Sequence, residues 1–246
     1  MRHWQQMRLT PLVVLLVCSP IASPQSPAPR ETFQFNIEWR LITAGKAQVE
    51  LLGGSSPEVK LHVESVGLVS KLFRVEDNYT AILNQSLCAE SVQISTHEGS
   101  RQRETRISFD GAAHRASYLE RDLVKNSTLL AKEIEIPACV HDVVGGLFYL
   151  RTLNIEPGQS TQVPVSDGKK AVNARVEAQQ REDIKTPEGT FHTIRYEIYL
   201  FNGVLFQRSA HLNVWLTDDR RRLPVQIRVR MPVTIGTITL TLEKHE

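Results

Sequence analysis

Cysteine is scarce in this 246-residue sequence: only Cys18, Cys88 and Cys139 are present. Three are too few for a disulfide-dense miniprotein or a four-cysteine zinc site. Charge of one sign is lacking as well. The 29 Lys and Arg nearly balance 27 Asp and Glu, for a formal net charge of +2. That argues against a nucleic-acid binder that relies on bulk charge. Catalytic signatures are missing too. There is no Gly-x-Ser-x-Gly elbow, no phosphate loop and no dinucleotide fingerprint. His62, His97, His114, His141, His192 and His211 show no metal-ligand spacing. No catalytic residue, cofactor or metal site is therefore expected, and the sequence speaks of compartment and architecture more than of chemistry.

The first segment reads as an address. Arg2 and Arg8 precede an apolar stretch centred on Leu12-Val13-Val14-Leu15-Leu16-Val17, and Ser19-Pro20-Ile21-Ala22-Ser23-Pro24 follows. Positive, apolar and small residues in that order make a secretory signal. The apolar run falls short of the ~20 residues that cross a bilayer. Cleavage is expected after Ala22, since a cut one residue later would place Pro24 first. Lipidation of Cys18 is the rival reading, but Val17 stands where a lipid-attachment signal wants a small residue. Residues 23–30 hold three prolines and read as an extended tether. No later apolar run reaches 18 residues, so no transmembrane span is expected in the mature chain. Residues 31–246 are read as a single β domain of an exported protein, placed in the periplasm or cell envelope.

From Thr32 onward the pattern is alternation. Phe33, Phe35, Ile37, Trp39 and Leu41 face one way, and Gln34, Asn36, Glu38 and Arg40 the other. Period two is the mark of a strand with one buried face. Gly45 reads as the turn that follows, and Ala47, Val49 and Leu51 resume the alternation. It recurs at Val59, Leu61 and Val63, at Ile194 to Leu200, Leu212 to Leu216, Val225 to Met231, and Ile238 to Leu242. Asp110-Gly111, Asp167-Gly168, Glu188-Gly189 and Asn202-Gly203 sit between such runs; Asn-Gly suits a tight antiparallel hairpin. The expected fold is mostly β: a large antiparallel sheet curled into an open or closed barrel.

One stretch departs from period two. Val143, Val144, Leu147, Phe148 and Leu150 follow a helical period, with Asp142 placed to cap the amino end. A single short helix over about 141–151 is predicted, buried against the concave face of the sheet as a plug. Gly145-Gly146 costs a helix about 1 kcal/mol per glycine relative to alanine. Both glycines, Gly146 in particular, are therefore expected to allow close approach to the sheet. In an exported chain Cys88 and Cys139 suggest one disulfide, with two buried thiols as the alternative. The densest polar segment is Trp215-Leu216-Thr217-Asp218-Asp219-Arg220-Arg221-Arg222-Leu223-Pro224. On extended backbone Asp218 and Asp219 point to opposite faces and do not share a proton, so the segment reads as a charged hairpin turn.

Three segments, in order, resemble a family of exported bacterial proteins of unknown function, the DUF3108 family. They are Phe35-Asn36-Ile37-Glu38-Trp39 with Ala44-Gly45-Lys46-Ala47; Cys139 through Asp142 to Arg151; and Trp215 through Asp218, Asp219 and Pro224 to Ile238. The resemblance covers roughly 31–243. It implies a β protein of the periplasm or envelope and supplies no assigned reaction, so Asp142, Arg151, Trp215, Asp218, Asp219 and Pro224 are motif residues of unknown role. Curled exported sheets also resemble carriers of lipid or lipoprotein. The expected function is a non-enzymatic envelope protein that holds a lipid or other apolar ligand. A scaffold that pairs a strand edge or surface patch with an envelope protein is the alternative; no nucleic-acid partner is expected.

Overall fold

The computed structural model describes residues 30–234 and 236–246. The signal segment and nearly all of the tether lie outside them. Eight strands form an antiparallel meander: β1 (Arg30–Trp39), β2 (Ile42–Leu52), β3 (Glu58–Ser65), β4 (Val75–Leu83), β5 (Ala89–Glu98), β6 (Arg101–Asp110), β7 (Arg115–Asp122) and β8 (Ser127–Glu135). A two-residue strand β9 (His141–Asp142) follows, then β10 (Ser160–Ser166), β11 (Ala171–Thr186), β12 (Gly189–Ile198), β13 (His211–Thr217), β14 (Pro224–Arg230) and β15 (Thr237–His245). β15 returns to pair with β1, so all fifteen strands make one sheet ordered β8 to β1, then β15 down to β9. Every pair is antiparallel except β9 with β10.

The sheet curls but does not close by strand pairing: β8 and β9 are its edges. Contacts nevertheless cross the gap between the two arms of the sheet. The Ala89 amide donates to Val140 O at 2.8 Å. Lys132 Nζ on β8 donates to Lys169 O, at the β10–β11 turn, at 2.8 Å. A Cys88–Cys139 disulfide ties the start of β5 to the entrance of β9, with Cα atoms 5.2 Å apart.

Antiparallel order sorts the connections onto two rims. The upper rim carries β1–β2, β3–β4, β5–β6, β7–β8, β10–β11, β12–β13 and β14–β15; the lower rim carries β2–β3, β4–β5, β6–β7, β8–β9, β11–β12 and β13–β14.

Among the described residues two helices are present where one was expected. The predicted helix is α2 (Gly145–Thr152), starting later than 141 because His141 and Asp142 pair with Val165 and Ser166 as strand. The other, α1 (Gly67–Leu72), has no buried residue, so no apolar periodicity announces it. Gly45 is not a turn. It lies inside β2, and the reversal is made by Arg40 and Leu41, both at positive φ (51° and 69°). Gly45 is needed for another reason: a Cβ there would sit 2.5 Å from Glu64 O of the neighbouring strand. Asn202 and Gly203 do adopt positive φ, but inside a twelve-residue connection, not a tight hairpin. Its Leu200 and Leu205 are buried in the core, which pulls the connection inward.

Candidate functional site

Helix α2 lies inside the curl. Phe148 is buried in a cluster built on β1 to β8, while Leu150 is buried in a second cluster built on β10 to β14. The helix is therefore held on the concave face, between the two halves of the sheet. The two halves meet it differently. The Phe148 ring packs 6.2 Å from Phe33, and the Arg151 guanidinium covers both rings. On the other side of the helix, Val143, Gly146 and Leu147 border a cavity of about 280 Å³. Phe35, Val49 and Leu61 contribute from the meander; Val163, Val165, Ala174, Val176 and Val214 form the opposing wall. Leu200, Phe201 and Phe206 of the 199–210 connection line it at the upper rim. Every lining residue is apolar. Lys170 Nζ donates to the carbonyls of Gly203 and Val204, fixing that connection over the cavity.

A hollow lined by apolar side chains offers none that could activate a nucleophile or stabilise charge. It can hold an apolar group. Among the described residues no group of three or more His, Cys, Asp and Glu stands close enough to hold a metal ion.

None of the motif residues lines the cavity, and of them Asp142 and Arg151 hold the helix. Asp142 is fully buried. Its Oδ1 accepts the Val144 amide at 3.0 Å, the Gly145 amide at 2.8 Å and the Tyr79 hydroxyl. It thus satisfies the helix start from two residues ahead of the Val144 N-cap. Its Oδ2 is buried with no hydrogen-bond partner among the described residues. Burial raises the Asp142 carboxyl above its ordinary value, against the lowering effect of those three donors. Burial, and next the Asp142 carboxylate, push the Tyr79 hydroxyl well up. The buried His141 ring stacks on Tyr149 at 3.9 Å, and its Nδ1 meets Leu87 O at 2.7 Å. Burial keeps His141 below its ordinary value.

Close approach belongs to Gly145 and not to Gly146. A Cβ on Gly145 would lie 2.3 Å from Asp142 Oδ2 and 3.2 Å from a Leu83 methyl. On Gly146 it would meet His141 and Val165 at 3.8 and 3.9 Å, ordinary contacts. The cavity beside Gly146 is why.

Arg151 anchors the helix end. Its two terminal nitrogens donate to Glu31 at 2.7 and 2.9 Å, and it also donates to Arg221 O and Arg222 O at 3.0 Å. Burial alone would raise Glu31; the Arg151 bonds and charge outweigh it and hold the carboxyl low. Asp218 and Asp219 sit in the β13–β14 turn and take different partners. Asp218 accepts from Arg181 Nε at 2.7 Å. Asp219 accepts from the Thr217 hydroxyl, the Arg221 guanidinium and the Arg221 and Arg222 amides. Trp215 is buried on the outer face, donating to Glu182 at 2.9 Å beneath Arg228. Pro224 is buried where β14 begins. These residues hold the frame; the cavity wall was not among the sequence candidates, although Val143, Val144, Leu147 and Leu150 were marked as a buried helix face.

The family profile for "Protein of unknown function (DUF3108)" matches residues 34–243, and the chain belongs to that family. A search of curated proteins found no significant match. Among solved structures, the chain is similar to a β-barrel-like protein of the DUF1849 family from Brucella abortus, with 7% identity and a TM-score of 0.58. That match covers 89% of this chain and 98% of the other. It is also similar to a DUF1089 family protein from Pseudomonas aeruginosa, with 12% identity and a TM-score of 0.37 over 86% and 95% of the two chains. The Brucella likeness shows the fold alone.

Proposed function

We propose that this protein is a non-enzymatic carrier of the bacterial envelope that holds an apolar chain of a lipid in its curled sheet. The observation that carries this reading is the cavity: about 280 Å³, bordered by α2 and lined by apolar side chains throughout. Ligand sites are concave, mostly apolar and typically a few hundred Å³ or larger. If a methylene needs about the volume of one water, roughly 30 Å³, the hollow takes an alkyl chain of about nine or ten carbons. A longer chain would leave its polar end outside. Export rests on the amino-terminal residues, whose order of charge, apolar run and small residues is that of a signal. Among the described residues no helix is long and apolar enough to cross a membrane.

The scaffold reading has one observation in its favour: β8 is an open edge strand, exposed along almost its whole length. Lys132, Glu133 and Glu135 stand on it, and charges on an edge strand guard against pairing. The cavity is therefore the stronger reading.

The test is native mass spectrometry of the protein purified from membrane-containing extract. A population heavier by the mass of a lipid, absent from the Leu147→Trp variant whose indole fills the hollow, is the expected result. Only bare protein in both preparations would sink the reading.

A further inference from the structure

The most exposed large apolar side chains gather at one rim, while Leu123 and Val124 on the β7–β8 turn and Leu119, Leu129 and Leu130 on β7 and β8 stand apart from them. Leu41 and Val233 are 97% and 93% exposed, Leu72 is 78% exposed, and Ile42, Leu68 and Phe73 are also well exposed. All six belong to the upper rim: the β1–β2 turn, α1 with the residue after it, and the β14–β15 turn. These turns touch. Arg40 donates to the carbonyls of Val233 and Thr234. The Val66 amide, leading into α1, donates to Ala44 O at 3.0 Å. The fringe is therefore one continuous surface. No large exposed apolar residue lies in the lower-rim connections among the described residues.

Charge follows the same division. The seven upper-rim connections carry Arg40, Lys71, Arg74, Lys125, Lys169, Lys170 and Arg208 against one acid, Asp167, which Lys169 faces at 3.9 Å. The six lower-rim connections carry Glu188, Asp218 and Asp219 against Arg220, Arg221 and Arg222. Arg74 is paired with Glu76 at 2.7 Å, so the cationic pull comes chiefly from its companions. Apolar side chains beside turns of net positive charge match a layer with an anionic surface and an apolar interior. A soluble protein partner would call for polar groups to pair, and these turns offer few.

We propose that the upper rim docks on a lipid bilayer containing anionic phospholipid. Leu41, Leu68, Leu72, Phe73 and Val233 enter the acyl boundary, and Arg40 and Lys71 rest among the headgroups. The 199–210 connection that walls the cavity lies on this same rim, so docking brings the hollow to the membrane. The proposal stands on the rim and does not require the cavity to be filled.

The experiment is co-sedimentation of the purified chain with vesicles of phosphatidylethanolamine and phosphatidylglycerol, and with vesicles of phosphatidylcholine alone. The expected result is binding to the anionic vesicles, weakened by salt, and at least about tenfold weaker partitioning for Leu41→Asp/Leu72→Asp. Both side chains are so exposed that the melting temperature should not change, which separates lost docking from lost folding. Lys71→Glu should weaken binding to the anionic vesicles only. Leu147→Trp should bind vesicles as the parent does, so failure of the cavity reading would leave this one standing. Absence of binding to anionic vesicles, or equal binding by the double variant, would overturn the proposal. So would a dimer in sedimentation velocity that Leu41→Asp dissociates and vesicles leave intact, since the rim would then serve a second copy.

Discussion

The two halves of the curled sheet share one helix and treat it in opposite ways. Against β1 to β8, α2 presents Phe148, which packs on Phe33 in an aromatic core. Against β10 to β14 it presents Val143, Leu147 and Leu150, and the facing residues are mostly short: Val163, Val165, Ala174, Val176 and Val214. Short side chains on an inward face leave space, and an interior packed like an organic crystal does not tolerate idle space without cost. The filled half holds the frame, through the disulfide, Asp142 and Arg151; the hollow half is free to receive something. This contrast separates substitutions that should unfold the protein from those that should only empty it.

The largest effect is expected on the filled side. Phe148→Ala should cost about 3 to 5 kcal/mol, seen as a lower urea midpoint, because the aromatic cluster cannot collapse into the space left. A loss under 1 kcal/mol would mean that this half is as loose as the other. Reduction of the Cys88–Cys139 bridge comes next. It closes a sequence separation of 51 residues, and its loss should cost about 2 to 4 kcal/mol. Cys139→Ser should reproduce the drop in melting temperature; free thiols on both residues in exported material would contradict the bridge.

The paired glycines sharpen the contrast at a single turn of helix. Gly145→Ala should cost about 1 to 3 kcal/mol, since Asp142, pinned by three donors, cannot move out of the way. Gly146→Ala faces the hollow and should be neutral or stabilising by up to about 1 kcal/mol, the helix preference of alanine. Equal effects would erase the distinction.

The smallest effect is a slope. The folded state raises the Asp142 carboxyl above 3.8, so it binds that proton more tightly than the unfolded chain. Its contribution to stability is present at low pH. It is lost as pH rises from the ordinary aspartate range through the raised value, and is level beyond. Glu31, held low by Arg151, acts in the opposite sense and loses its contribution as pH falls. The difference in urea midpoint between parent and Asp142→Asn isolates the first effect. The parent should fall relative to the variant as pH rises through that window; a constant difference would contradict it.

Much of the frame was legible because it is local. Phe33, Phe35 and Ile37 alternate along one strand, and Val143 to Leu150 repeat at helical spacing, so each element declares its buried face. The disulfide followed from two cysteines in a chain that reads as exported. What failed was also local. Arg40 and Leu41 make a left-handed turn without glycine or asparagine, a conformation their identities do not advertise. Gly45 carried the usual turn signal and serves instead to let β3 approach β2. The cavity was illegible for a different reason. Phe35, Val163, Val214 and Leu240 are each an ordinary inward strand residue, and nothing in one strand says that the residue it faces across the curl is too short to reach it. Nor does the sequence alone show that Leu41, Leu72 and Val233 share a rim, which depends on the return of β15 to β1.

The hollow half is proposed to bind an alkyl chain. The most direct measurement is the melting temperature of the parent and of Leu147→Trp across a titration with decanol, a neutral ten-carbon chain. Ligand that binds only the folded state stabilises by about 2.7 kcal/mol at a hundred times its dissociation constant. The parent should therefore melt progressively higher as decanol is added, while Leu147→Trp stays flat. A parent that does not respond, or a variant that rises equally, would contradict the account.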